Sequence, residues 1–571
     1  MTRLGAQLSF AHNEMRRRLA APFGAAATLL AASLAALAPR LGAPQECPAR
    51  PPDARRAVLH VSPHSHDDVG WHPTFMQYFL GTGSSCPCNV SQIIGAVVES
   101  LASSPERRFS LAEQAFFTTW FEAQSSAVQE KARRVVASGQ LVFLGGGWSM
   151  SDEAAPSYVE ILDNVAVGQR AIVANFGREA IPRLQWQIDP FGHSAFMGVL
   201  SSPLGGYTGI MWARESAELK LLSCASGRLE RVWLPSPSLP HVATFQGVFV
   251  DSDYSSPDAL GRCDYDGSPG QCGSSNAAGD VDALVADARG LRAPNLRGGD
   301  LLLNLGSDFT SENFNGPALN SNDNYTFEGN YSDYLDALVA AVNADGRYEA
   351  RFSTPADYVA AKLAAPNATF PATEGDFFPY AQDVAGHRVW SGYFSSRPAF
   401  KYFVRESSAL LQAARQLQLL AGGAADTGPS NALTRLERAL GVALHHDAIS
   451  GTATESTNGD YSLLASFCTP RAYPFPLLYL VPNPTLSLCA ARGRTRRPVP
   501  RRLGVVHKRH GPRAALFLLP AHEREPLPRA GGRHCNGCCG VAFAGAGGRR
   551  RTRAPRGGLP AGRRLVDRHG R

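Results

Sequence analysis

The sequence predicts an α/β fold: a parallel, barrel-like (β/α) domain followed by a small three-helix bundle. Three observations carry this expectation. Short apolar runs alternate with stretches of helical spacing up to about residue 395, which is the pattern of βα units in a parallel sheet. Beyond that point the strand signals stop, and apolar residues recur mostly at threes and fours, as on amphipathic helices. Finally, four segments place an acid or a histidine just after an apolar run: His64-Ser65-His66-Asp67-Asp68, Ile188-Asp189-Pro190-Phe191-Gly192-His193, Gly306-Ser307-Asp308-Phe309 and His445-His446-Asp447-Ala448. A barrel or open α/β sheet gathers its chemistry at the C-terminal ends of its strands.

Each element follows in order. Residues 58–61 form an apolar run that ends in Ser62-Pro63-His64. Residues 141–144 end in Gly145-Gly146-Gly147-Trp148, and residues 184–188 end in Asp189. Residues 209–212 lead to Ala213-Arg214, and residues 301–305 to Gly306-Ser307-Asp308. Stretches 90–101 and 158–175 carry helical spacing between them. Phe400, Phe403, Leu410, Leu411, Ala414, Leu417 and Leu420 then mark one amphipathic helix. Leu433, Leu436, Leu440 and Leu444 mark a second, beyond a Gly/Ala/Pro linker at 422–429, and it runs directly into His445-His446-Asp447.

The 571 residues, 44% hydrophobic, suffice for a large core and about two to four domains. The net charge of +7 divides unevenly: residues 491–571 hold 21 Lys and Arg against 3 Asp and Glu, so the remainder is near −11. An acidic body excludes nucleic acid as its partner, because a phosphate-binding face needs clustered positive charge. Arg16, Arg17 and Arg18 precede an Ala/Leu-rich run to residue 38, which reads as a secretory signal with an apolar h-region. A signal anchor is the competing reading; the mildly apolar composition favours cleavage, so no stable membrane anchor is expected. Sequons at Asn89, Asn324, Asn330 and Asn367 agree with secretion. Cys263 and Cys272 bracket a polar loop and could pair in an oxidising compartment. Cys535, Cys538 and Cys539 lie in the tail, and Cys538-Cys539 has no partner at zinc-finger spacing.

Four regions result: a targeting segment at 1–45, the α/β domain at 55–370, a helical middle domain at 371–464, and a basic low-complexity tail at 465–571. The tail is rich in Arg, Gly and Pro. It reads either as disordered or as aberrant translation, by intron read-through or a frame shift.

His66 and Asp68 stand two apart on a loop leaving a strand, where both can face one side. A histidine nitrogen and a carboxylate so placed can grip one divalent ion. Asp189 and His446 complete a set of two imidazoles and two carboxylates, which suits Zn²⁺. Several blocks then resemble the α-mannosidases of glycoside hydrolase family 38. Pro63-His64-Ser65-His66-Asp67-Asp68-Val69-Gly70-Trp71 resembles that family's first signature, and Trp186-Gln187-Ile188-Asp189-Pro190-Phe191-Gly192-His193-Ser194 its nucleophile segment. Gly147-Trp148 through Asp152-Glu153-Ala154, Asp376-Phe377-Phe378-Pro379-Tyr380, Trp390-Ser391-Gly392-Tyr393-Phe394 and His445 through Thr452 are similar to further blocks in the same order. The resemblance spans about 55–464, and Asp67-Asp68-Val69 with Gly306-Ser307-Asp308-Phe309 looks more like the lysosomal, acidic branch than the Golgi branch.

The resemblance implies zinc held by His66, Asp68, Asp189 and His446, with Asp189 as nucleophile and Asp308 as general acid/base. It implies a retaining enzyme that removes terminal α-linked mannose from N-glycan oligosaccharides at acidic pH, in a lysosome, a vacuole or outside the cell. Arg214 matches a family position near the nucleophile; an ordinary ion pair is the alternative. Trp71, Trp390 and Tyr393 are candidates to stack on the sugar, with core packing as the alternative. Asp447 reads as a group that supports the metal or binds a hydroxyl. His64 and His445 read as loop supports, and His193 either supports Asp189 or is an ordinary loop histidine. Family members also carry β-sandwich domains after the helical part, which this sequence does not supply, so the chain reads as truncated. An inactive or merely sugar-binding product, and a metal-dependent carbohydrate deacetylase, are the competing functions. Oligomeric state is not legible.

Overall fold

A computed structural model of the chain describes residue 47 and residues 57–466, apart from 87, 252, 258–259, 261–276, 311–330, 367, 385–387 and 423–430. The expectations placed on segment 1–45, Cys263 and Cys272, Asn324, Asn330, Asn367 and tail residues 467–571, with Cys535, Cys538 and Cys539, lie outside the described residues.

Strand β1 (Val58–Pro63) is buried at every position but its first, as expected of a strand covered on both faces. It pairs in parallel with β8 (Asp300–Leu305), from Val58↔Asp300 to Pro63↔Leu305, and with β9 (Glu349–Phe352) on its other side. Strands β2 (Phe109–Leu111) and β3 (Leu141–Phe143) form a parallel pair. Strands β4 (Leu184–Trp186), β5 (Gly209–Trp212), β6 (Glu230–Leu234), β7 (Thr244–Val248) and β10 (Ala372–Glu374) form a sheet ordered β10-β6-β7-β5-β4. A bridge between His64 and Ser110 carries β1 on to β2. The Gly145 N–H donates to the Leu184 carbonyl at 2.9 Å and carries β3 on to β4. The strand course is therefore β7-β5-β4-β3-β2-β1-β8. Leu144, Trp186, Ile188, Met211, Phe245, Phe249 and Leu302 meet inside it in one buried cluster.

Two features depart from an all-parallel barrel. Strand β6 runs antiparallel to β7, because only residues 235–243 connect them and no helix intervenes; a parallel crossover needs a dozen or more residues. Among the described residues no strand ladder joins β8 to β7. Side chains span that gap: Asn304 Nδ2 donates to the Tyr254 carbonyl at 2.7 Å, and Arg292 donates to the Leu302 carbonyl at 2.9 Å and to Asp251 at 2.8 Å.

Helices Val90–Ser103 and Tyr158–Phe176 match the helical stretches read from the sequence. Tyr158–Phe176 starts with a capping box between Ser157 and Glu160, which satisfies two otherwise orphaned N–H groups. The C-terminal helices are Pro398–Leu420, Ala432–Ala443 and Glu455–Ser466. Rather than enclosing a core of their own, they contribute Phe400, Val404, Leu411, Leu436, Leu440 and Tyr461 to the main core. Arg415 reaches Asp163 on Tyr158–Phe176 at 2.6 Å, and the Gly441 position lies so close to Trp148 that a Cβ would sit 2.6 Å from its ring. No described helix is long and apolar enough to cross a membrane.

Cys47 is bonded to Cys224, 177 positions away, and Cys86 to Cys88. Closing so long a loop restricts the unfolded chain. Cys224→Ala is expected to cost about 2–5 kcal/mol, read as a fall in chemical-denaturation stability that reductant reproduces in the wild type.

Candidate active site

Pairing between the β1 and β8 segments continues past both strands and sets two functional residues side by side. The His66 N–H donates to the Ser307 carbonyl at 3.1 Å, the Phe309 N–H donates to the His66 carbonyl at 2.9 Å, and His66 and Asp308 form a parallel bridge. Gly306 permits this approach: its φ is +154°, and a Cβ there would lie 2.1 Å from the His64 carbonyl oxygen. Phe309 follows with φ 50°, a conformation that costs a non-glycine residue about 1–3 kcal/mol. Asp189 leaves the end of β4, where the Gln187 N–H bonds the Met211 carbonyl beside it at 2.9 Å. His446 arrives from the opposite side, two residues beyond the cap of Ala432–Ala443, with its N–H on the Met150 carbonyl at 3.2 Å.

The His66, Asp68, Asp189 and His446 side chains converge, all buried, with one ligand-type atom of each within 4.8 Å of the others. His66 Nε2 lies 3.0 Å from Asp68 and 3.4 Å from Asp189; His446 Nε2 lies 3.2 Å and 3.0 Å from the same two carboxylates. Both ring nitrogens of His66 lack a well-directed hydrogen bond. Burial would lower the pKa of His66 and of His446, but Asp68 and Asp189 outweigh it and hold both well above the usual imidazole range. The pocket thus favours positive charge where the four side chains meet, and its donor set fits a divalent cation.

A second overlapping group joins Asp68, His445, His446 and Asp447. The hydrogen bonds separate the two groups. His446 Nδ1 lies 2.9 Å from the Met150 carbonyl and donates to it, which turns Nε2 toward the Asp68 and Asp189 carboxylates. His445 Nδ1 accepts from the Asp447 N–H at 3.2 Å; its Nε2 therefore carries the proton and donates to Asp68 at 3.1 Å. This tautomer makes His445 a donor that orients the Asp68 carboxylate and leaves its Nε2 with no lone pair to offer a cation.

Burial alone would raise the Asp189 pKa, yet Arg214, His446 and His66 outweigh it and hold the carboxyl well below its usual range. Arg214 bonds Asp189 directly, and its guanidinium lies over the rings of Phe191, Tyr254 and Trp390 at 5.6, 5.9 and 5.5 Å. Asp308 behaves oppositely. Burial, reinforced by Asp68 and Asp189, outweighs His66 and the Tyr254 hydrogen bond and pushes its pKa up to about 7. The Tyr254 hydroxyl donates to Asp308 at 2.8 Å. Two carboxyls with pKa values driven apart are what acid/base chemistry requires.

Of the remaining candidates, Asp447 is buried beside the cluster, bonded by the Thr452 hydroxyl, with its pKa pushed to about 7 by burial and by Asp68. Trp390 is half-buried, 4.7 Å from Phe191 between ring centres. Tyr393 is turned away: it is buried, and its hydroxyl donates to the Phe191 carbonyl at 2.8 Å. Trp71 is half-buried with its ring edge-on to His72 at 4.1 Å. His64 is buried with its ring edge-on to Trp186 at 5.7 Å and neither ring nitrogen in a well-directed hydrogen bond, its pKa lowered to about 3 by burial and by His66. His193 bonds Glu153 at 2.8 Å and stacks on Trp212, which places it in the packing behind the Asp189 loop.

The sequence reading missed Tyr254 and Glu113. Glu113 follows β2 and accepts from the Met150 N–H at 2.9 Å, and burial lifts its pKa to about 8. Glu113 lies two residues past β2, so the rule that found the other acids would have found it had β2 been recognised; Tyr254, neither an acid nor a histidine and six residues beyond β7, gave that rule no signal. Tyr254→Phe removes a hydrogen bond that favours ionised Asp308. The Asp308 pKa, and with it the alkaline limb of any activity it gates, is expected to move to higher pH; an unmoved limb in a pH–rate profile would contradict the assignment.

A buried two-imidazole, two-carboxylate cluster beside a third carboxyl whose pKa is pushed up by burial, three of its members following strands and His446 following a helix, is an architecture suited to metal-assisted hydrolysis. The chain belongs to glycosyl hydrolase family 38: residues 56–383 match the glycosyl hydrolases family 38 N-terminal domain, and residues 388–466 match the alpha mannosidase middle domain. It is 38% identical over 409 residues to a probable alpha-mannosidase of Arabidopsis thaliana, covering 71% of this chain and 37% of that protein. It is 36% identical to the lysosomal alpha-mannosidases of Felis catus and Homo sapiens, covering 75% of this chain and 42% of each of those proteins. The chain thus spans about two fifths of the length of the curated relatives it matches. A crystal structure of an alpha-mannosidase from Enterococcus faecalis superposes with a TM-score of 0.51 at 14% identity, over 72% of this chain and 41% of that one; this likeness concerns the fold alone.

Proposed function

We propose that this site belongs to a retaining, zinc-dependent α-mannosidase that removes terminal α-linked mannose from N-glycan oligosaccharides at acidic pH. The observation that carries the reading is the convergence of His66, Asp68, Asp189 and His446 on one point, with Asp308 buried alongside and its pKa pushed up by that burial. Those four residues would hold the cation. When bound, it supplies positive charge and coordination positions for sugar hydroxyls.

The chain's own residues account for the chemistry. The ionised Asp189 carboxylate attacks the anomeric carbon as the bond to the leaving oxygen breaks, giving a glycosyl ester on Asp189. Asp308 gives its proton to that oxygen. Asp308 then takes a proton from water, the water oxygen attacks the same carbon as the ester bond to Asp189 breaks, and mannose leaves with its configuration retained while Asp189 returns to its carboxylate and Asp308 to its acid form. Arg214 keeps Asp189 ionised and fixes its orientation. Trp390, next to Arg214, is suited to stack on the sugar's apolar face, while Tyr393 and Trp71 would shape the loops around it. The names of the lysosomal relatives support a secretory and lysosomal route, where acid keeps Asp308 protonated.

The test is hydrolysis of a nitrophenyl α-mannoside by the full 571-residue chain at acidic pH, before and after chelation. Turnover lost on chelation and restored by zinc is the expected result. Turnover indifferent to chelation would contradict the metal assignment, and acetate released from an N-acetylated sugar would favour a deacetylase instead.

A further inference from the structure

The turn bearing His446 and Asp447 ends in carbonyls that point away from the cluster toward the start of the Pro398–Leu420 helix. Residues 445–453 wind tightly: the Ala448 and Ile449 N–H groups bond the His445 carbonyl, Gly451 bonds Ala448, and Ala453 bonds Asp447. Like the end of a helix, such a turn leaves its last carbonyls without backbone donors. Ile449 and Ser450 are fully buried, so water is poorly placed to satisfy them. Lys401 does so. Its ammonium donates to the Ile449 carbonyl at 2.7 Å, the Ser450 carbonyl at 3.0 Å and the Ser396 carbonyl at 2.6 Å. Arg397 extends the row, donating to the Gly451 carbonyl at 3.2 Å and the Ala453 carbonyl at 2.9 Å while paired with Glu455. Arg397 does this from a left-handed conformation, φ 47° and ψ 57°. Phe309, beside Asp308, is the other non-glycine residue with positive φ among those described. Both strained positions adjoin the site.

We propose that Lys401, backed by Arg397, is a positioning residue for the metal-ligand turn: it fixes the carbonyl end of the turn so that His446 is held for the cation, with Asp447 beside it. The cationic group sits at the negative end of the turn's peptide dipoles, where it is favoured. The helix outside the α/β sheets thereby becomes part of the metal site without supplying a ligand. The proposal rests on the zinc reading given above.

The experiment measures zinc Kd by competition with a chromophoric chelator, and the melting temperature of the metal-free protein, for the full chain and for Lys401→Met. Methionine keeps the stem and removes the three donors. Loosening the support of a metal ligand costs about 10–100-fold in affinity, and that is the expected rise in Kd. A purely structural role would lower the melting temperature and leave the Kd of the folded protein at its wild-type value; that result overturns the proposal. Should Lys401→Met fail to fold, Lys401→Ala removes every donor and the stem with them, and Lys401→Gln keeps two N–H donors on a shorter, uncharged stem that does not reach all three carbonyls; an unchanged Kd in whichever of these folds overturns the proposal equally. Wild-type protein that binds zinc no better than His446→Ala would overturn the zinc reading and the clamp together, whereas zinc-binding wild type with unaltered variants overturns the clamp alone.

Discussion

Asp189→Ala is expected to abolish hydrolysis of an aryl α-mannoside, with kcat/KM lower by about 10³-fold or more, in line with the loss of a reacting group. Asp189 occupies two roles, and the experiment must separate them. As a ligand, its removal weakens the cation; as a nucleophile, its removal leaves no group to form the glycosyl ester. Excess zinc corrects the first deficit and not the second. The variant, assayed under zinc saturation and shown folded by its circular dichroism, is therefore expected to stay inactive. Substantial recovery with zinc would reduce Asp189 to a ligand and move the nucleophile elsewhere. Removing Asp189 also leaves Arg214 partly buried without its carboxylate, so some loss of stability is expected alongside.

Asp308→Ala is expected to lower kcat/KM by about 10²–10⁴-fold, the usual contribution of a positioned acid. The loss should depend on the leaving group: small for a dinitrophenyl mannoside, whose phenolate departs without a proton, and large for a mannose disaccharide. The pH dependence has a definite sign. Asp308 must carry a proton, and its pKa is pushed up to about 7, so activity is expected to hold below that pH and fall as pH rises through it. A bound dication nearby favours the ionised carboxylate and shifts the limb lower, toward the acidic range. The variant should lack this limb. A limb that survives Asp308→Ala would assign the proton to another group, with Glu113, pushed to about 8 and also buried near the cluster, the next to test.

What the sequence made legible follows from which strands were purely apolar. Strands β1, β4, β5 and β8 are buried along nearly their whole length, so each stood out as an apolar run, and the functional residue at its end came with it. Strands β6 and β7 were hidden by polar residues that packing alone does not explain from sequence. Arg231 is buried in β6 and paired with Glu215 and Gln246, a network visible only once the strands are adjacent. Strand β2 spans three residues directly after Arg107 and Arg108. Glu113, which follows β2, was lost with it, and Tyr254, six residues beyond β7 and neither an acid nor a histidine, carried no signal of its own. The ligand set was legible as chemistry and through family resemblance, but the distinction between His445 and His446 was not. Two adjacent histidines differ there only in which nitrogen meets a backbone group, a property of the folded turn. Tyr393 shows the converse: an aromatic in a recognisable block whose hydroxyl faces the backbone of Phe191 instead of the pocket.

Trapping the reaction's covalent intermediate tests the central claim most directly. The zinc-loaded full chain would be incubated at acidic pH with a fluorinated mannosyl fluoride that forms the ester quickly and hydrolyses it slowly, then digested and sequenced by mass spectrometry. The expected result is one mannosyl label, on the carboxylate of Asp189 within the peptide that carries Ile188-Asp189-Pro190. A label on a different residue, or soluble zinc-loaded protein that turns over mannoside and never acquires a label, would contradict the account.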